Sequence, residues 1–110
     1  MEYYDSMGGK DHAFFPRMST YLRAEAEKRG HQDFNLDGWS YYYGEDAPQQ
    51  ENGCDCGMFM TRYVEYLARR VPFTFSQVNI PYLRQRMTLE ITTATLLPHY
   101  LVGPKPGPPA

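Results

Sequence analysis

The sequence predicts a small α+β domain in which a short β-sheet packs against about three helices. Apolar residues recur with helical spacing in three stretches, near residues 13–29, 55–70 and 80–97. Two shorter stretches, near residues 2–5 and 38–43, are rich in β-favouring side chains. The chain has 110 residues, of which 42% are hydrophobic, and this is enough apolar material for one core.

The two β-favouring stretches predict the strands of this sheet. Residues 2–5 precede turn residues 6–9, whose paired glycines accept backbone conformations that other residues disfavour. Residues 38–43 show the period-2 alternation of a strand, and Gly44 closes the pattern. Because a domain seldom opens on the end of a strand without a partner, we expect a further part of the sheet upstream.

Helical periodicity predicts the first two helices. In residues 13–29, Pro16 falls in the first turn, where its missing N–H is tolerated, and Gly30 supplies a stop. The apolar face of this helix consists of Phe14, Met18, Tyr21 and Leu22. In residues 55–70, Asp55 at the start and arginines at the end match the helix macrodipole. The apolar face here consists of Phe59, Met60, Tyr63, Val64 and Leu67.

A third helix is predicted over residues 80–97. Asn79 can cap it, and Pro81 suits its first turn. Its apolar face consists of Ile80, Leu83, Met87, Ile91 and Ala94. Residues 98–110 contain five of the nine prolines and two glycines, a composition that cannot form a core. We therefore expect a folded domain over residues 1–97, followed by a disordered Pro/Gly-rich tail.

Composition narrows the range of partners. The net charge is −2 and the 11 basic residues are scattered, whereas nucleic-acid binding calls for clustered Lys and Arg. No apolar run approaches the ~20 residues that span a bilayer, and the polar start lacks a signal-peptide core. The two cysteines, Cys54 and Cys56, lie too close together for the disulfide that staples a secreted domain. These features predict an intracellular protein of the nucleus or cytoplasm, with neither nucleic acid nor membrane as partner.

Residues 49–59 carry the clearest chemistry in the chain. Cys56 lies at the start of the expected second helix, where the positive end of a helix favours a reactive thiolate. Gln50 could donate an N–H to a developing oxyanion, and the glycines beside the cysteines leave room for a substrate backbone. On the Cys-Gly pair alone, a buried structural cysteine remains the alternative. A Cys-x-Cys metal site would need ligands that nothing nearby provides, so neither metal nor cofactor is expected.

Three stretches of the chain resemble one protein family. Residues 50–59 read Gln-Glu-Asn-Gly-Cys-Asp-Cys-Gly-Met-Phe. This matches every fixed position of Gln-x-Asn-x-x-Asp-Cys-Gly-x-Phe, the signature of the ubiquitin-like-protein-specific cysteine proteases, also called SUMO- or sentrin-specific proteases. Residues 3–7 look like the family's strand and turn with its catalytic Asp, and residues 81–87 resemble its C-terminal helix. The resemblance covers residues 2–97 and implies a partial papain-like cysteine protease domain.

The resemblance implies catalytic roles for three residues. Cys56 would be the nucleophile, Gln50 the oxyanion-hole side chain and Asp5 the carboxylate that orients the catalytic imidazole. On local sequence alone, Asp5 could equally be an Asx-turn residue bonded to the backbone that follows it. Cys54 falls at a variable position of the signature and receives no catalytic role. No substrate-binding residue is assigned.

The family's catalytic His has no counterpart in the three matching stretches. In the family this His lies on the strand before the Asp and is followed by a Trp, but only four residues precede Asp5. The available histidines, His12, His31 and His99, follow a turn, a helix end and the start of the tail, and we expect each to be a surface residue. We therefore expect residues 1–97 to be the C-terminal portion of a catalytic domain whose upstream part is missing. The chain alone would lack a general acid, a group worth about 10² to 10⁴ in rate.

Two functional hypotheses follow from these residues. The first is a cysteine isopeptidase that removes SUMO-like modifiers from lysines and trims their precursors, acting on the modifier and its conjugates as partners. The second is a non-catalytic remnant that binds a ubiquitin-like protein, an idea motivated by the missing base. A helical interaction module with an incidental Cys-Gly pair would leave the three ordered matches unexplained.

Overall fold

The computed structural model describes residues 1–98, which form three α-helices and a two-stranded β-sheet. In chain order the elements are β1 (Glu2–Tyr3), α1 (Phe14–Lys28), β2 (Tyr42–Tyr43), α2 (Cys56–Arg69) and α3 (Ile80–Thr93). A turn of 3₁₀ helix, Gln77–Asn79, leads into α3. The expected α+β architecture is confirmed, and the expected tail, apart from Pro98, lies outside the described residues. No helix within residues 1–98 is long and apolar enough to cross a membrane.

The sheet is parallel and much shorter than the two β-favouring stretches suggested. Glu2 pairs with Tyr42 and Tyr3 with Tyr43, and a parallel pair needs a crossover, which α1 supplies. β1 ends early because the chain turns at once: the Gly8 amide donates to the Asp5 carbonyl at 3.0 Å. The aromatic residues before Tyr42 alternate as expected for a strand, but they have no neighbouring strand to pair with in the described chain.

Helix α1 packs on the β2 side of the molecule through one narrow face. The buried residues of this face are Phe15, Ser19 and Ala26. The Phe15 ring lies 5.1 Å from the Tyr41 ring and 5.0 Å from the Tyr43 ring, measured between centroids. Tyr21, which the periodicity placed on the apolar face, is exposed. That prediction was wrong because Tyr41 and Tyr43 pack against the side of α1 that contains Phe15, and this side is the one that is buried.

The core gathers around α2 and the segment that follows it. The buried residues of α2 are Met58, Phe59, Tyr63 and Tyr66. Phe75 packs on both ends of this face, with ring centroids 5.5 Å from Phe59 and 5.4 Å from Tyr66. The predicted face was partly wrong, because Met60, Val64 and Leu67 are exposed. The aromatic residues after the helix determine which face is covered, and periodicity within the helix cannot reveal them.

Helix α3 ends at Thr93, four residues before the predicted end at residue 97. Ala94 adopts the left-handed conformation, with φ 49°, and the chain folds back along the helix. Glu90 accepts a hydrogen bond from the Leu97 amide at 2.9 Å, while the buried Arg86 donates to the Leu97 carbonyl at 2.5 Å. The Glu90 and Arg86 side chains thus satisfy the N–H and C=O groups of Leu97. The chain turns back where the prediction continued the helix.

Replacing Phe59 with alanine should destabilise the fold by about 3–5 kcal/mol, the usual cost of emptying a buried aromatic site. Phe59 is 0% exposed and lies at the centre of the aromatic cluster. The neighbouring Met60, which is 61% exposed, provides a matched control on the same helix. Urea unfolding would measure both variants. Equal shifts of the midpoint for Phe59→Ala and Met60→Ala would contradict this placement of the core.

Candidate active site

A cleft separates the end of β1 from the start of α2. It has a volume of about 310 Å³, and both Asp5 and Cys56 line it. Its walls come from Tyr3, Tyr4 and Ser6 on one side and from Gly57, Met60 and Tyr63 on the other. The fold thus brings together two of the three residues that the resemblance singled out.

Cys56 is the first residue of α2, and its side chain is exposed. The free N–H groups and the dipole of a helix start favour negative charge at this position. A side chain built on Gly57 would meet no atom within 4 Å, so the space beside the thiol is open. Position 57 therefore adds no side chain that would obstruct this part of the cleft.

Asp5 makes the Asx-turn contact that its local sequence allows. Its Oδ1 accepts a hydrogen bond from the Met7 amide at 2.8 Å. A Cβ atom on Gly9 would lie only 2.6 Å from the other oxygen, Oδ2, so the carboxylate packs against a position that only glycine fits without a shift. The local role and a second role as hydrogen-bond acceptor are therefore compatible, because each uses a different oxygen.

Gln50 is not among the residues that line the cleft, but it contacts one of them, Ser6, and its amide is held by hydrogen bonds. Its amide nitrogen Nε2 donates to the Asn52 carbonyl at 2.5 Å, and its Oε1 accepts from the Ser6 hydroxyl at 2.5 Å. Its backbone N–H also donates to the Ser6 carbonyl at 2.8 Å. Gln50 is therefore fixed directly to Ser6, one of the residues that line the cleft.

Asp55 is the main residue of this region to which sequence reasoning gave no site role. It is only 6% exposed and forms an ion pair with Arg84 of α3. It also accepts hydrogen bonds from the side-chain amides of Asn52 at 2.7 Å and Gln77 at 2.8 Å. Arg84 first, then these two amides, lower the pKa of Asp55 from its ordinary value of 3.8 to about 2. The carboxylate joins the loop before Cys56 to α3.

The pH dependence of stability should report on this carboxylate. Because folding lowers the pKa of Asp55, its contribution is complete above about pH 4 and disappears as the pH falls through about 2. Asp55→Asn should therefore be less stable than the parent at neutral pH, and the gap should close towards pH 2. Urea midpoints across this range would measure it, with Asp33→Asn on the exposed turn after α1 as control. A gap that does not change with pH would contradict this role.

The two histidines of residues 1–98 do not line the cleft. The His12 ring lies edge-on against Tyr43 at 6.1 Å between centroids, and His31 is exposed after α1. His99 lies outside the described residues. Cys54 is exposed, and the described part of the chain contains no cluster of three or more His, Cys, Asp or Glu side chains suited to a metal ion.

Comparisons with known proteins identify the family. A sequence model described as "Ulp1 protease family, C-terminal catalytic domain" matches residues 1–98. Sentrin-specific protease 2 of Mus musculus is 39% identical over 99 residues, which is 88% of this chain and 17% of that protein. A sentrin-specific protease of Caenorhabditis elegans is 38% identical over 97 residues, or 88% of this chain and 14% of its own length. Ubiquitin-like-specific protease ESD4 of Arabidopsis thaliana is 37% identical over 89 residues, or 81% of this chain and 18% of its own.

The chain spans less than a fifth of the length of these curated relatives, 17% in the case of the mouse protein. The match nevertheless includes the end of β1 with the turn after it and the first half of α2, which together line the cleft. The resemblance drawn from residues 3–7, 50–59 and 81–87 is confirmed. The chain belongs to the Ulp1 protease family, and residues 1–98 correspond to its C-terminal catalytic domain.

Proposed function

We propose that this chain forms the nucleophile-bearing part of a cysteine isopeptidase that removes SUMO-like modifiers from lysine side chains and trims modifier precursors. One observation carries the proposal: Cys56 begins a helix and opens into a cleft that also contains Asp5. A helix start favours the thiolate, and a carboxylate within the same cleft can orient a base beside it. Family membership and the names of the relatives support the choice of a ubiquitin-like modifier as substrate.

The proposed reaction begins with attack of the Cys56 thiolate on the carbonyl carbon of the modifier's C-terminal glycine. The carbonyl oxygen becomes an oxyanion, which the Gln50 amide and a backbone N–H at the helix start stabilise. The C–N bond then breaks, and the leaving lysine amine takes a proton from an imidazolium acid. Water hydrolyses the resulting thioester, which releases the modifier and restores the thiol. The open space beside Gly57 suits a modifier tail that ends in glycine.

The imidazole in this scheme comes from a segment outside the described residues. Neither His12 nor His31 lines the cleft, whereas Asp5 does. We expect the natural reading frame upstream of this chain to encode a His-Trp pair within about 20 residues of Asp5, a distance set by one strand and its turn. Sequencing the gene decides the point, and the absence of such a pair would rule out this source of the base.

Hydrolysis of modifier substrates tests the proposal. The chain with its natural upstream sequence should release a fluorogenic coumarin amide from SUMO much faster than from ubiquitin. Residues 1–110 alone should be slower by about 10² to 10⁴, the usual contribution of a general acid. Equal rates for SUMO and ubiquitin substrates would contradict the proposed specificity, and no hydrolysis by the extended protein would contradict the proposed reaction.

A non-catalytic binder of a ubiquitin-like protein is the second candidate. It is favoured by the lack of an imidazole in the lining of the cleft within residues 1–98. Under this alternative, the extended protein would bind the modifier, as measured by calorimetry, yet leave every modifier amide intact. Measurable turnover that depends on Cys56 would exclude it.

A further inference from the structure

Ser6 connects Asp5 and Gln50, two polar residues of the candidate site: it follows the first in sequence and bonds the second. It follows Asp5 in the turn after β1, it is only 7% exposed, and it lines the Cys56 cleft. Its hydroxyl and its carbonyl both bond Gln50, at 2.5 Å and 2.8 Å. A residue 44 positions away in sequence is thus fixed at two points by one serine.

The hydrogen bonds around the Gln50 amide permit one orientation only. The Asn52 carbonyl can accept but cannot donate, so the nitrogen Nε2 must face it. The oxygen Oε1 then faces Ser6, whose hydroxyl must act as the donor. A flipped amide would lose the bond to Asn52, because oxygen would face oxygen there, and the Ser6 hydroxyl would have to turn from donor to acceptor.

This orientation matters for the chemistry proposed above. Nε2 has two N–H groups, and the bond to Asn52 uses one of them, so the second can serve an oxyanion. A flipped amide would present its carbonyl oxygen instead and repel the developing negative charge. Electrostatic stabilisation of this kind requires donors that are already oriented before the reaction.

We propose that Ser6 is a positioning residue that orients the Gln50 amide as an oxyanion donor and couples it to the turn that carries Asp5. This inference rests on the proposed function, because it assigns Ser6 a part in the same reaction. Ser6 touches neither the reacting carbonyl nor the leaving amine in this account. It acts through Gln50.

A purely structural serine would give a different result, and the chain offers a matched control. Ser19 is also buried, at 8% exposure, and its hydroxyl lies 3.4 Å from that of Tyr41, on the α1 side of the molecule. Ser19→Ala therefore removes the same hydroxyl from the same degree of burial without touching the cleft. Any effect shared by the two variants reports on folding rather than on Gln50.

Kinetics of the protein with its natural upstream sequence test the proposal. Ser6→Ala should lower kcat for the SUMO coumarin amide about tenfold with little change in KM, less than the ~10²–10³ expected when an oxyanion donor is deleted. Ser6→Thr, which keeps a hydroxyl, should recover most of the loss, and Ser19→Ala should match the parent. In the Gln50→Ala background, Ser6→Ala should cost nothing further. A Ser6→Ala rate equal to that of Ser19→Ala, or a loss that adds to that of Gln50→Ala, would overturn the proposal.

Nuclear magnetic resonance separates failure of this inference from failure of the proposed function. The side-chain NH₂ signals of Gln50 in residues 1–110 should shift in Ser6→Ala and stay unchanged in Ser19→Ala, whether or not the protein turns over substrate. Unchanged Gln50 signals in Ser6→Ala would overturn the inference even in an active enzyme. Shifted signals in a protein without turnover would uphold the contact but overturn both the proposed function and the catalytic purpose of Ser6.

Discussion

Cys56→Ser should abolish hydrolysis of modifier substrates, with a fall in kcat/KM of ~10⁴-fold or more, as expected when a nucleophile is removed. A serine hydroxyl ionises far less readily than a thiol, and a helix start alone does not make it a nucleophile. Because Cys56 is exposed at the cleft, the exchange of sulfur for oxygen should leave the core unchanged. Steady-state rates on the SUMO coumarin amide measure the effect in the protein with its natural upstream sequence.

Cys54→Ser is the matched control for this experiment. Cys54 is also exposed, and it lies in the loop before the helix rather than at its start. Its backbone N–H, not its thiol, bonds Asn52, at 3.1 Å. The rate of Cys54→Ser should stay close to that of the parent. A variant pair in which Cys54→Ser is inactive and Cys56→Ser is active would reverse the assignment of the nucleophile.

Gln50→Ala should lower kcat by about 10² to 10³ and leave KM nearly unchanged, because an oxyanion donor acts on the transition state more than on bound substrate. Two hydrogen bonds hold the amide in place before any substrate arrives, so alanine removes a donor that needs no reorganisation. Stopped-flow or steady-state measurements on the SUMO coumarin amide separate kcat from KM.

Gln32→Ala serves as the control for loss of a glutamine amide. Gln32 is exposed in the turn after α1, away from the cleft. Its substitution should leave both kinetic constants unchanged. If Gln50→Ala raised KM and left kcat intact, Gln50 would be a substrate-binding residue and not an oxyanion donor.

The helices were the most predictable part of the fold. Sequence periodicity and end signals placed α1 and α2 within a residue or two of their observed bounds, Phe14–Lys28 and Cys56–Arg69. Both rest on local information, namely the spacing of apolar residues, together with a proline in the first turn of α1 and charges at the ends of α2. The position of Cys56 at a helix start follows from the same local signals.

Features that depend on distant contacts were less predictable. The end of α3 is set by Glu90 and Arg86, which bond the backbone at Leu97 and turn it back. The strands are short because their length depends on a partner, and only Glu2–Tyr3 and Tyr42–Tyr43 find one in the described chain. Local propensity cannot supply either piece of information.

The same distinction holds for the candidate site. The signature in residues 50–59 and the turn at Asp5 indicated three site residues from sequence alone. The contacts that support them join residues far apart in the chain: Arg84 and Asp55 are separated by 29 positions, and Ser6 and Gln50 by 44. No spacing rule links such pairs, so these contacts could not be predicted from sequence. They form because the fold places α3 and the turn after β1 beside the loop before α2.

In the proposed reaction Cys56, and not its neighbour Cys54, attacks the C-terminus of a SUMO-like modifier. A SUMO-derived vinyl sulfone, which traps a nucleophilic thiol at that position, tests it most directly in the protein with its natural upstream sequence. Fragment ions in mass spectrometry must separate Cys54 from Cys56, because both lie on one tryptic peptide. We expect a stoichiometric adduct on Cys56 that is lost in Cys56→Ser and retained in Cys54→Ser. An adduct on Cys54, or a bound modifier without any adduct, would contradict it.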